Sequence, residues 1–427
     1  MNSTNDTAFE MATSSIRFGA GITAEIGMDI ADAGLTNALV LTDPVLASLP
    51  PVEKVKASLE DQNIKYSIYD NVRVEPNDKS FEDAIRFAES VGPDCFIAVG
   101  GGSVIDTAKA ANLLITYPAD LLDYVNAPIG KGKPVPGPLK PLYAIPTTCG
   151  SGSETTGVSI FDLSSIHAKT GIAHRYLKPT LGLIDPENLQ TLAPEVVAST
   201  GFDVLSHAIE SFTAIHYQER PRPERPILRP TYQGANPLSD IWSAEALRLV
   251  DQHLILAYKD SNDLESRGAM QLAAGMVGIG FGNAGVHLPH GMSYPVSSNV
   301  REFTPEGYTT DHPLIPHGMS VILNAPAVFR QTASANPDRH RQAAAALGAK
   351  VTNVSDDEIG EVLAQRIIYF MQELSAPNGL TEVGYTEADI PKLVEGTLSQ
   401  QRVTKISPKP VDEALLRLLF EDALTYW

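Results

Sequence analysis

The first half of the chain alternates two patterns. Short continuous apolar runs are followed by segments that are apolar at every third or fourth position. Ala38-Leu39-Val40-Leu41-Thr42 is such a run, stopped by Asp43-Pro44. Phe96-Ile97-Ala98-Val99 is another and leads into Gly100-Gly101-Gly102. Leu142 to Ile145 and Thr180 to Ile184 read the same way, and Ile64 to Tyr69 alternates like a half-buried strand. Between them Val52 to Asp61, Phe81 to Ser90 and Ser103 to Ile115 carry helical spacing. Strands that are apolar on both faces, alternating with amphipathic helices, predict a parallel sheet covered by helices.

Beyond about Pro186 the texture changes. Glu195 to Thr213, Ser239 to Tyr258 and Leu264 to Gly280 are long helical patterns, and strand-like runs become scarce. The pattern predicts an α/β domain over residues 1–188 and an all-helical domain over 189–427. His216 to Pro237, dense in proline and arginine, reads as a long ordered loop.

Composition narrows the classes. With 43% hydrophobic and 19% charged residues, the chain can build a core and is not disordered. Its 32 basic and 51 acidic residues give a net charge of −19, which argues against nucleic acid or an anionic membrane as partner. No run approaches a membrane-spanning length. Two cysteines, Cys95 and Cys149, do not make a disulfide framework and suit a reducing compartment. The polar start, Met1 to Arg17, lacks the marks of a signal peptide or presequence. The expected location is the cytoplasm, or the mitochondrial matrix if a presequence has been removed.

Four places carry candidate chemistry. Gly101, Gly102 and Ser103 follow a strand and open a helix, where backbone N–H groups and the helix dipole suit a bulky anion. Ser103 and Asp106 have capping-box spacing. A plain strand-to-helix turn reads equally well, and the run is not G-x-G-x-x-G. Pro146 to Thr156 brings hydroxyls, Thr147, Thr148 and Ser151 among them, suited to ribose and phosphate oxygens; an ordinary Ser/Thr-rich loop is the competing reading. Asp43, after its strand, can bind a ribose diol and would repel a 2′-phosphate, unless it is only turn punctuation. Asp203 and His207 share a helical face. His290 and His317 each precede Gly-Met. One carboxylate and three imidazoles make a first shell for a divalent transition metal. A lone histidine is usually an ordinary core or surface residue, but the paired contexts among only 10 histidines weaken that reading.

Taken together, GGGSVIDTAK (Gly100 to Lys109), Pro146 to Thr156, GFDVLSHAIE (Gly201 to Glu210), HGMSYP (His290 to Pro295) and PHGM (Pro316 to Met319) resemble the iron-containing, or group III, alcohol dehydrogenases. The resemblance runs from about Arg17 to the C-terminus. It implies an α/β nucleotide-binding domain with a dehydroquinate synthase-like parallel sheet, plus an all-α metal-binding domain, with cofactor and metal in the cleft between them. It implies NAD and a divalent metal, iron or zinc, as cofactors, and a homo-oligomer, dimer or larger. By motif, Asp203, His207, His290 and His317 would hold the metal. Gly101, Gly102, Ser103, Asp106, Thr147, Thr148 and Ser151 would line the cofactor. Lys169 matches the family's cofactor-contacting lysine, and Asp43 the acid that goes with preference for NAD over NADP.

Tyr294 stands where many members carry another histidine, and the gap between His290 and His317 is longer than usual. With the proline-arginine stretch and GIGFGNAGVH (Gly278 to His287), these features resemble the hydroxyacid–oxoacid transhydrogenase branch. That branch implies hydride transfer from 4-hydroxybutyrate to 2-oxoglutarate through bound NAD. Tyr294 would relay a proton or merely pack. Arg222 and Arg225, in a loop that also holds Arg220 and Arg229, are candidates for the substrate carboxylate, or else members of a solvated loop. Two rivals stay open: an alcohol dehydrogenase that releases NADH, acting on an alcohol and aldehyde pair, and a lyase of the dehydroquinate synthase type.

Overall fold

A computed structural model of the chain describes residues 4–165, 168–310 and 312–427. It divides into two compact units. One comprises Thr13–Leu192 with Ser261–Gly275; the other comprises the N-terminal stretch through Ala12, Ala193–Asp260 and Met276–Trp427. The main crossing lies four residues beyond the expected 188, and two further segments change sides.

The first unit is built on a six-stranded sheet. Its strands are β1 (Ser15–Phe18), β2 (Asn37–Leu41), β3 (Lys65–Tyr69), β4 (Cys95–Gly100), β5 (Leu142–Pro146) and, after a two-stranded antiparallel pair β6 (Val158–Leu163) and β7 (Ala168–Ala173), β8 (Leu181–Ile184). The order is β1-β8-β5-β4-β2-β3, and every pairing is parallel. β4 and β5 are buried throughout, as their unbroken apolar runs predict. Of the edge strands, β1 is mostly exposed and β3 is half-buried. β1, Ser15-Ile16-Arg17-Phe18, gave no apolar run to read because it lies at the margin; Arg17 pairs with Glu25 at 2.9 Å and Asp29 at 2.7 Å. The β6–β7 pair was not anticipated either.

The order fixes where a ligand can sit. From β2 the chain winds outward to β3; from β4 it winds the other way to β5. Between the carboxyl ends of β2 and β4 the direction reverses, which is where open α/β sheets bind ligands. Asp43 follows β2, and Gly101 and Gly102 follow β4.

Beneath the glycine turn lies a buried charge network. Lys109 is fully buried, and its Nζ donates to Ser153 Oγ at 2.6 Å and Val158 O at 2.8 Å. It lies 3.5 Å from the Asp106 carboxylate, which also accepts from Ile160 N at 2.8 Å and from the Ser153 hydroxyl. The network stitches the Gly102–Thr116 helix to β6 and the hydroxyl-rich loop. Burial pushes neighbouring Glu154 up to about 7, against the opposing pull of its own backbone N–H and of Lys109.

The second unit is helical. Its longest elements are Pro194–Thr213 and Pro237–Lys259, with Leu288–Ser298, His317–Ile322 and a C-terminal set ending in Glu413–Asp422. The helix Leu264–Ala284 contributes its later turns here. The N-terminal stretch straps the proline-arginine loop: Asp6 N donates to Arg220 O at 2.9 Å, and the Asp6 carboxylate pairs with Arg220 at 2.8 Å and Arg229 at 3.0 Å. Among the described residues no helix is long and apolar enough to cross a membrane.

Replacing Lys109 by Met strands the buried Asp106 carboxylate without its cation. Urea unfolding should show a loss of about 3–5 kcal/mol. A loss below about 1 kcal/mol, the scale of a surface pair, would mean that the network is not a buried ion pair in energetic terms.

Candidate active site

Within the helical unit, Asp203, His207 and Glu210 fall on one face of Pro194–Thr213, at steps of four and three residues. All three are buried. His290 sits in the first turn of Leu288–Ser298, and His317 opens His317–Ile322. Gly318 explains the His-Gly pairing at the last ligand. A Cβ there would lie 1.9 Å from Ser199 O, so only glycine lets this helix press its first turn against Pro194–Thr213. At Gly291 a Cβ would meet Val403 at 3.2 Å, a tighter fit than most side chains allow.

Donor atoms of Asp203, His207 and His290 lie within 4.8 Å of one another, and His317 approaches the same Asp203 carboxylate. Asp203 Oδ1 lies 3.5 Å from His207 Nε2, 3.4 Å from His290 Nε2 and 3.7 Å from His317 Nε2. Four donors held about 2.1 Å from one centre at tetrahedral angles stand about 3.4 Å apart. The spacing therefore matches a shared metal better than it matches hydrogen bonds. Asp203 Oδ1 and His290 Nε2 are buried and have no hydrogen-bond partner. The residues present fit a divalent metal.

The electrostatics agree. Burial works to raise the Asp203 pKa, yet His207, His317 and His290 together hold its carboxylate well below the usual range. Burial pushes His207 far down, aided by the two neighbouring imidazoles and opposed by Asp203, so it is the neutral ring a metal requires. His290 is buried too, but Glu210 and Asp203 outweigh that and push it up to about 10. A metal at this nitrogen takes the place of a proton. Phe281 stacks on His207 with ring centroids 3.8 Å apart and fixes the ring plane.

Glu210 was not singled out from the sequence, although it completes the helix face that Asp203 and His207 begin. Its Oε1 lies 2.6 Å from His290 Nδ1, and its Oε2 accepts from His287 N at 2.6 Å. The first contact leaves Nε2 to face Asp203; the second anchors the start of the helix. A carboxylate behind a ligating histidine sets its tautomer and raises its basicity.

Tyr294, one turn beyond His290, stacks near His317 with centroids 6.4 Å apart and accepts a hydrogen bond from Arg402 Nη2 at 3.0 Å. Arg222 and Arg225 are exposed on their loop, while Arg220 and Arg229 are engaged by Asp6. Solvent-exposed guanidinium groups bind carboxylates weakly. The arginine that reaches the metal-ligand neighbourhood is Arg402, which the sequence did not mark.

Within the sheet unit the glycine turn and the hydroxyl loop lie side by side. A Cβ on Gly101 would stand 3.1 Å from Thr148, and one on Gly102 would stand 2.8 Å from Ser151. These glycines thus admit the hydroxyl loop. Thr147 N donates to Gly100 O at 3.2 Å and locks the two together. The capping box does not form: Gly101 is the cap, without a side-chain bond. Ser103 Oγ instead accepts from Glu75 N at 3.1 Å, and Asp106 is turned into the Lys109 network, because a buried cation outbids a solvent-facing N–H for that carboxylate. Lys169, on β7, is paired with Glu75 and lies 3.6 Å from Asp162. Asp43 Oδ1 accepts from Val45 N at 2.9 Å and Leu46 N at 3.0 Å. Its pKa is raised by burial, against those two bonds. The Asp43 carboxylate is thereby fixed at the end of β2.

Two outcomes follow. His290→Ala should abolish metal retention on elemental analysis, and Glu210→Gln should weaken metal affinity about 10–100-fold in chelator competition; full metal occupancy in both would refute the ligand set. Asp43→Gly should narrow the preference for NAD over NADP, since a like-charge contact with a 2′-phosphate is removed. Equal binding of the two cofactors by the unmodified protein would dismiss that role.

Comparison with known proteins supplies the lineage of these two clusters. Residues 13–186 match the model of the iron-containing alcohol dehydrogenase, and residues 231–424 match that of the Fe-containing alcohol dehydrogenase family, C-terminal. The mitochondrial hydroxyacid-oxoacid transhydrogenase of Bos taurus is 54% identical over 423 residues, covering 99% of this chain and 91% of that protein. The Homo sapiens protein of the same name is 53% identical with the same coverage. Among solved structures, a 1,3-propanediol oxidoreductase superposes with a TM-score of 0.85 at 24% identity, over 97% of this chain and 100% of that one. A sulfoacetaldehyde reductase from Bifidobacterium kashiwanohense, in complex with NAD+, gives 0.79 at 24% identity, over 98% and 99%. The glycine turn and hydroxyl loop fall in the first matched segment and His290 and His317 in the second, with Asp203, His207 and Glu210 between the two: the chain belongs to the iron-containing alcohol dehydrogenase family.

Proposed function

We propose that this protein is a hydroxyacid–oxoacid transhydrogenase. It moves hydride from a hydroxyacid such as 4-hydroxybutyrate to an oxoacid such as 2-oxoglutarate, giving succinate semialdehyde and 2-hydroxyglutarate. The observation that carries the reading is the convergence of three imidazole Nε2 atoms on Asp203 Oδ1, in a chain 53–54% identical to relatives of that name over nearly their whole length.

Asp203, His207, His290 and His317 would hold the metal, which when bound supplies Lewis-acid polarisation of a hydroxyl or carbonyl oxygen. We assign iron on the family name; the same donors take zinc as readily. NAD supplies the hydride acceptor. Gly101, Gly102, Ser103, Thr147, Thr148 and Ser151 would orient it, with Asp43 at the adenosine ribose and Lys169 as a further cofactor contact.

The protein's own work is alignment and proton handling. Glu210 fixes the tautomer of His290, and Phe281 fixes the plane of His207. The hydroxyacid loses a hydride from carbon and a proton from oxygen; the oxoacid regains both. Tyr294 takes the proton step in this scheme, its phenol lying beside His317 and held by Arg402. The relatives are named as mitochondrial proteins, which favours the matrix over the cytoplasm for this one.

An ordinary dehydrogenase shares every one of these residues, so kinetics must separate the two. Pure holoenzyme given 4-hydroxybutyrate and 2-oxoglutarate, without added NAD, should form both products. Double-reciprocal plots should be parallel, because the first product leaves before the oxoacid binds. Converging lines, with free NADH appearing in the absence of oxoacid, would replace the transhydrogenase by the dehydrogenase.

A further inference from the structure

The structure assigns Arg402 as the specificity-determining residue for the substrate's carboxylate; this rests on the hydroxyacid–oxoacid reading above. Arg402 lies in the short helix Gln401–Thr404. The next residue, Val403, is the neighbour that a side chain at Gly291 would strike, so this turn is packed against the ligand-bearing helix Leu288–Ser298. The guanidinium sits between two phenols. Its Cζ is 4.7 Å from the centroid of the Tyr232 ring, and its Nη2 donates to Tyr294 Oη at 3.0 Å.

Each phenol leads to a metal ligand. Tyr294 stacks near His317, and Tyr232 meets Phe281 edge-on at 6.5 Å, with Phe281 stacked on His207. A guanidinium so placed is one side chain removed from His317, through Tyr294, and two removed from His207, through Tyr232 and Phe281.

Its charge is what sets it apart. A guanidinium has five N–H donors and does not lose its proton. Arg402 Nη1 is buried without a hydrogen-bond partner, and among the described residues no carboxylate forms an ion pair with Arg402. Tyr232, beside it, is pushed up to about 12 by burial, against the pull of Arg402, and is therefore neutral at physiological pH. Arg402 is half-buried, and cations withdrawn from water to this extent ordinarily have an anion. Here the ring of Tyr232 and the hydroxyl of Tyr294 hold the group in place, and no acid consumes it. Arginine in such a frame suits bidentate capture of a carboxylate, and a ring-stacked guanidinium keeps its plane fixed for it.

The experiment compares 4-hydroxybutyrate with 1-butanol on metal-loaded holoenzyme, for the unmodified protein, Arg402→Leu and Arg402→Lys. Metal content is measured for each. Arg402→Leu should lower the ratio of kcat/KM between acid and alcohol by about 10-fold or more, the loss of one charge-assisted contact, chiefly through KM. Calorimetric affinity for 4-hydroxybutyrate should fall by a similar factor. Arg402→Lys, which keeps the charge but not the planar fork, should fall between and serves if the leucine variant does not fold. If the unmodified enzyme prefers the acid and both soluble, metal-loaded variants keep that preference, the assignment to Arg402 is wrong and the transhydrogenase reading stands. Equal losses on acid and alcohol would show that Arg402 only positions Tyr294. An unmodified enzyme with no preference for the acid would instead overturn the underlying reading.

Discussion

Three imidazole nitrogens aimed at a single carboxylate oxygen are the constraint around which the helical unit is arranged. Asp203 Oδ1 is buried and has no hydrogen-bond partner, and His290 Nε2 beside it has none either. Polar atoms in that condition cost free energy unless something else binds them. The imidazole nitrogens stand 3.4 to 3.7 Å from Asp203 Oδ1, the spacing of neighbouring ligands about a metal-sized centre. The unit accepts the cost of assembling them because a cation is the intended partner. Glu210 shows how far the arrangement reaches: one fully buried carboxylate both orients His290 and anchors the start of its helix. Remove it and a ligand and a helix terminus lose their support together.

Bringing donors from three helices to one point demands close backbone approach, and glycine supplies it. Gly318 lets the His317 helix press on Ser199 O. The sheet unit uses the same device, with Gly101 and Gly102 admitting Thr148 and Ser151. The His-Gly pairing at residue 317 and the glycine run at 100–102 are therefore packing features first. Their chemistry follows from what the packing leaves facing the site: a ring nitrogen in one case, hydroxyls and backbone N–H groups in the other.

This explains which parts of the molecule could be read from the chain. Strands buried on both faces, β4 and β5, announce themselves as unbroken apolar runs. β1 does not, because four residues at a sheet edge bury too little to leave a pattern. The candidate metal ligands were legible because helical spacing and repeated His-Gly-Met contexts are local signals. Glu210 was legible in principle, at seven residues from Asp203, but a buried carboxylate that touches a histidine from another helix leaves no local mark. The same holds for Asp106, whose spacing suggested a cap. Its real partners, Lys109, Ser153 and Ile160, include two from beyond the helix, and a nearby buried cation is a stronger draw than an exposed N–H. Arg402 was hidden for a further reason: in the sequence it is one arginine in a polar stretch, and only folding shows that two tyrosines flank it.

That placement bears on how an acidic chain can handle acidic substrates. A net charge of −19 would disfavour anions if it acted as one uniform field. It does not, since exposed charges are screened within about 8 Å at physiological salt, whereas a desolvated cation acts at short range with little screening. Local disposition therefore outweighs the sum. Lys109 and Lys169 are buried cations with carboxylates of their own, Asp106 and Glu75, and are neutralised inside the fold. Arg220 and Arg229 share the single carboxylate of Asp6. The proline-arginine loop that looked like a carboxylate clamp in the sequence thus uses two of its arginines to fasten the N-terminal stretch, and leaves Arg222 and Arg225 in water. Arg402 has phenols where those others have acids. A phenol orients a guanidinium without cancelling it, so positive charge persists beside the metal ligands for a substrate to meet.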